Sequence, residues 1–88
     1  MSYETNRKSF AEKLDQEHQW PTHYLFKFIV PKGKEEEVTR IFPPNECSTR
    51  ESSNGNYVSI SAKMFLGSSE EVIKIYEEAY KIPGIISL

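Results

Sequence analysis

The stretch Ser52-Ser53-Asn54-Gly55-Asn56-Tyr57-Val58-Ser59-Ile60-Ser61-Ala62-Lys63-Met64-Phe65-Leu66 decides the fold. From Tyr57 onward it alternates. Val58, Ile60, Ala62, Met64 and Leu66 fall on one side, and Tyr57, Ser59, Ser61, Lys63 and Phe65 on the other. That period of two is the signature of a half-buried strand. Asn54-Gly55 predicts a hairpin, because a type I′ turn needs positive φ at both central positions. A two-residue turn fixes the register, so paired residue numbers sum to 109, as 54 and 55 do. Cys47, Thr49 and Glu51 then face Ala62, Ile60 and Val58 on the inner side. Ser48, Arg50 and Ser52 face Ser61, Ser59 and Tyr57 on the outer side, with Glu46 opposite Lys63 as a favourable charge pair.

Upstream, residues 23–30 alternate in the same way. Tyr24, Phe26, Phe28 and Val30 form an apolar inner side; His23, Leu25, Lys27 and Ile29 form a mixed outer one. Pro31 and Gly33 end this strand. Residues 34–42 read as a short helix, with Glu35, Glu36 and Glu37 at the positive end of its dipole and Val38, Ile41 and Phe42 as an apolar stripe. Pro43-Pro44 closes it. Residues 68–81 read as the best helix, with Ser68 and Glu71 at capping-box spacing and Val72, Ile75, Tyr76 and Ala79 on one face. Pro83-Gly84 ends it, and residues 85–88 read as a final short strand. Residues 1–19 read as an N-terminal arm with a short helix at 9–16, Ser9 as its N-cap and Phe10 and Leu14 on one face.

The order of elements is βαββαβ over a single domain, residues 20–88. This is the ferredoxin-like α+β arrangement, a four-stranded antiparallel sheet with two helices on one face. The two most apolar strands, the first and third, belong in the centre, and the polar 45–53 segment belongs at an edge.

Composition bounds the function. Leu, Ile, Val and Phe make up 21 of 88 residues, enough for one thin core in a chain of 10.2 kDa. The net charge of −2 excludes a basic nucleic-acid coat. No run approaches the length of a membrane span, and residues 1–15 lack the apolar core of a secretory signal. The single Cys47 forms no internal disulfide, so a cytoplasmic location is expected, with Cys47 as a buried structural thiol. His18 and His23 lack metal-ligand spacing and read as surface residues; no catalytic residue, metal site or cofactor is expected.

The outer sheet face is the candidate site. Leu25, Ile29, Tyr57 and Phe65 supply apolar contacts, and Lys27, Arg50, Ser59 and Lys63 polar ones. A solvated sheet face is the bland reading of the same pattern. A protein partner, either a second copy or a heterologous chain, is the sharper one. Gly55-Asn56-Tyr57-Val58 resembles part of an RNA-recognition motif, but aliphatic Leu25 and Ile29 stand where that module has aromatics, which argues against nucleic acid.

Trp20-Pro21, Phe26-Lys27, the Ser52-Ser53-Asn54-Gly55-Asn56-Tyr57 block followed by Ser59, Ile75-Tyr76-Glu77 and Pro83-Gly84 occur in an order that resembles the YbeD-like family of small bacterial proteins of unknown function. The block from Ser52 and Ser53 through Gly55 to Tyr57 is the most specific part. The resemblance implies a ferredoxin-like fold similar to ACT regulatory domains, a link to lipoate metabolism and no established enzymatic activity. It also makes a small-molecule effector an alternative to a protein partner. Pro31-Lys32-Gly33-Lys34 departs from the usual ACT loop.

Overall fold

A computed structural model describes residues 3–43 and 45–87. Helix α1 (Tyr3–Glu17) leads into strand β1 (Thr22–Pro31), helix α2 (Glu35–Thr39), strands β2 (Cys47–Glu51) and β3 (Tyr57–Leu66), helix α3 (Ser69–Ala79) and strand β4 (Ile86–Ser87). The strands form one antiparallel sheet in the order β2-β3-β1-β4. The most apolar strands are central, and the ferredoxin-like topology holds.

The β2–β3 register is the expected one, from Glu51 against Val58 to Cys47 against Ala62. The turn that sets it is different. Only Gly55 has positive φ, at 74°, so no type I′ turn forms at Asn54-Gly55. Instead the Gly55 N–H donates to the Ser52 carbonyl at 3.0 Å, and the Ser52 N–H donates to the Tyr57 carbonyl at 2.8 Å. The longer loop is symmetric about the same point and so preserves the register. The ladder starts at Cys47, and Glu46 makes no ion pair with Lys63 among the described residues.

The core lies between the sheet and the helices. Phe26, Phe28 and Val30 from β1 and Val58, Ile60 and Ala62 from β3 are at most 2% exposed. Val38, Phe42, Val72, Ile73, Tyr76 and Ala79 cover them. The Tyr24 and Tyr76 hydroxyls share a hydrogen bond of 3.1 Å, joining β1 to α3. Burial beside Tyr24 holds the Tyr76 phenol well above its ordinary range.

Among the described residues three helices, rather than two, share this side of the sheet. Helix α1 is longer than residues 9–16, and Ser9 lies within it rather than capping it. It packs on α3: Leu14 is buried, the Phe10 ring lies 5.5 Å from Tyr76, and Arg7 reaches Glu77 at 3.6 Å. Trp20 Nε1 donates to Asp15 Oδ1 at 2.8 Å, tying the end of α1 to the start of β1 across a cis Trp20–Pro21 bond.

Ser68 caps α3, its hydroxyl accepting from the Glu71 N–H at 3.4 Å. The Glu71 carboxylate reaches one residue beyond the usual capping box and accepts from the Gly67 N–H. Helix α2 has only five residues, with single-turn hydrogen bonds continuing to Phe42. It is too short to roof β2, so Thr49 and Glu51 are exposed although they stand on the helix side. Cys47 is half-buried rather than fully buried, for the same reason. Pro44 and Leu88, expected to close a helix and a strand, lie outside the described residues.

Candidate functional site

Strand pairing converts the outer face into a grid. Along β1 and β3, His23 stands against Phe65, Leu25 against Lys63, Lys27 against Ser61, Ile29 against Ser59, and Pro31 against Tyr57. On the β2 side, Ser48 joins the Ser61 row and Arg50 the Ser59 row. On the β4 side, Ile86 joins the Ile29 row. All eight predicted site residues therefore share one face, and none is buried.

The face has three zones. Phe65 and Leu25 form an apolar zone at one end, 62% and 54% exposed, with His23 edge-on to the Phe65 ring at 4.9 Å. Tyr57, Ile29 and Ile86 form another at the far end, with Tyr57 46% and Ile86 52% exposed. The cations link them: Lys63 stands opposite Leu25, Lys27 lies in the next row, and Arg50 shares the row of Ile29, with Ser48, Ser59 and Ser61 as the floor. Strand spacing and rise set the Cα atoms of those three cations about 8–14 Å apart. None of them joins an ion pair among the described residues. Ser59 Oγ donates to the Arg50 carbonyl at 3.4 Å, so part of the serine floor is spent on the backbone.

Two shallow depressions mark the surface. One, of about 450 Å³, lies over Lys27, Ser48, Arg50, Ser59 and Ser61. The other, of about 540 Å³, lies over Ile29, Arg50, Glu51, Ser52, Ser53, Tyr57 and Ser59. Both are open to solvent. Among the described residues no three of His, Cys, Asp and Glu are grouped to hold a metal ion, and no helix is long and apolar enough to cross a membrane.

The residues of the family block divide by role. The Ser52 hydroxyl donates to Asn54 Oδ1 at 2.8 Å and accepts from the Tyr57 N–H at 3.2 Å, while Asn54 Oδ1 also accepts from the Asn56 N–H at 3.2 Å. Ser52 and Gly55 thus build the turn, Ser53 is exposed beside it, and Tyr57 opens the face. Trp20 and Pro21 lie at the α1–β1 junction, where Trp20 packs against the core rather than on this face.

The loop between β1 and α2 is closed on itself. The Lys34 N–H donates to the Pro31 carbonyl at 3.0 Å, and the Gly33 N–H donates to Glu35 Oε1. Hydrogen bonds from its own N–H and that of Gly33, with Lys32 nearby, hold the Glu35 carboxyl below its ordinary range. The Gly33 amide already has an anionic partner.

Ile86 is the face residue that sequence reasoning missed. A two-residue strand is too short for alternation to reveal its sides. Ser48 and Ser61 were legible as outward positions but carried no apolar or charged signal of their own.

No curated protein and no solved structure matches the chain. A family model described as a protein of unknown function, DUF493, matches residues 15–88, the sheet, α2 and α3 together. By that match the chain belongs to the DUF493 family, to which the YbeD-like resemblance pointed.

Proposed function

We propose that this protein is a non-enzymatic regulatory or protein-interaction module whose open sheet face is its docking surface. One observation carries the reading. Among the described residues, five large hydrophobics are strongly exposed, and four of them (Leu25, Tyr57, Phe65 and Ile86) stand on this face, the fifth being Tyr80. Random surface exposure scatters such residues; a concentration on one side marks a contact site. The free Cys47 thiol fits a cytoplasmic setting.

The test is a comparison of wild type with Tyr57→Ala and Phe65→Asp by light scattering on a sizing column and by affinity capture. The reading expects a lost partner or a changed oligomeric state with an unchanged melting temperature. Unaltered association in both variants overturns it. A metabolite that raises the melting temperature equally in wild type and variants would point instead to small-effector sensing away from this face.

A further inference from the structure

Resting on the docking reading, we infer that the occupant of the open face is an acidic, amphipathic segment of a different protein, its carboxylates held by Lys27, Arg50 and Lys63 and its apolar residues by the two flanking zones. The charge distribution is the first reason. The chain has 13 acidic and 11 basic residues, yet no strand position on this face carries a carboxylate. Two acids stand at the margin: Glu51, held by Lys32 at 3.2 Å, and the exposed Glu46 just before β2, which joins no ion pair among the described residues. An acidic protein thus presents a cationic face. Complementary potentials steer association and select partners.

The second reason is that a second copy fits poorly in either arrangement. A two-fold contact of sheet on sheet lays one cationic band over another, and like charges so placed are costly. A head-to-tail contact would need free acids on the helix layer. There Glu70 and Glu77 face Arg7, Glu78 faces Lys81, Glu36 and Glu37 face Arg40 and Lys34, and Asp15 and Glu71 accept from Trp20 and Gly67, so that Glu12 and Glu17 of α1 are left without an ion pair among the described residues, too few to match three cations.

The third reason concerns nucleic acid, the other common polyanion. Tyr57 and Phe65 are eight residues apart on β3, about 27 Å at strand rise, so they cannot stack neighbouring bases. The face positions of β1 between them are Leu25, Lys27 and Ile29, with no aromatic. The acidic remainder of the chain would also repel a long phosphate backbone. A short acidic segment meets only the face.

The experiment is amide chemical-shift titration of the full chain with a short peptide carrying glutamates between two phenylalanines, its glutamine counterpart, and oligouridylate. The glutamate peptide is expected to shift residues 25–29, 48–50 and 57–65 and to bind at least about tenfold more tightly than the glutamine peptide. Binding should weaken as salt rises from about 50 to 300 mM. The doubly reversed variant Lys27→Glu, Lys63→Glu should lose about tenfold or more while keeping its melting temperature, since both side chains are exposed. Equal binding of the glutamine peptide overturns the acidic occupant and leaves the docking face standing. So does tighter binding of oligouridylate at the same residues, or self-association through them. If no probe shifts the face, both readings fall.

Discussion

Gly84 stands directly against the ring of Pro31. A Cβ built on Gly84 would lie 2.9 Å from Pro31 Cγ and 3.2 Å from Cδ, and its φ is +78°. Pro31 ends β1 and Gly84 precedes β4, so this approach lets the chain turn after α3 and bring Ile86 beside Ile29. Gly84→Ala meets both a steric contact and left-handed backbone strain and should cost about 1–3 kcal/mol. Gly33→Ala meets strain alone, since nothing lies within 4 Å of its Cβ position. A urea titration in which Gly33→Ala proves the more damaging would refute the assignment.

Helix α1 lies almost wholly before the family match at residue 15, yet it fills part of the core. Leu14 is 3% exposed, so Leu14→Ala should destabilise by about 2–4 kcal/mol. The adjacent exposed Lys13→Ala should stay within about 0.5 kcal/mol of wild type. Equal unfolding midpoints for the two variants would mean that α1 does not dock.

Ser52 and Ser53 are neighbours with different duties. The Ser52 hydroxyl both donates and accepts within the hairpin, whereas Ser53 is exposed. Ser52→Ala should cost about 1 kcal/mol and Ser53→Ala almost nothing. Amide exchange at Tyr57 should quicken only in the first. Reversed effects would return the block to a surface role.

These contrasts explain what the sequence made legible. Register and face were readable because Val58 to Leu66 alternates over ten residues, and a symmetric loop preserves the pairing sum even where the turn type differs. The length of α1 was hidden because its first turns carry no apolar stripe; Phe10, Ala11 and Leu14, all from its midpoint onward, pack on the core. Exposure of Thr49 and Glu51 depends on how far α2 extends over β2, a tertiary fact that no local pattern encodes. Lys27, Arg50 and Lys63 were legible as outward positions of one face, but the spacing of Lys27 from the other two depends on the β1–β3 register, which no hairpin turn sets.

Cys47 supplies a pH test of how far β2 is covered. Burial, reinforced by the neighbouring Glu46 charge, pushes its thiol above the ordinary value. The folded chain therefore holds less thiolate at pH 8 than the unfolded chain, and thiolate is the reactive form. Alkylation by iodoacetamide at pH 8 should be slower in the native protein than in urea and should accelerate as pH rises further. Glu46→Gln removes the second cause and should speed the native reaction modestly, leaving the larger burial effect in place. The linkage runs the same way. A raised folded value contributes stability that is complete below the unfolded thiol value and is lost as pH rises through the folded one. Cys47→Ser should therefore flatten the alkaline decline in stability. Native and unfolded chains that alkylate at one rate at pH 8 would show that β2 leaves Cys47 open to solvent.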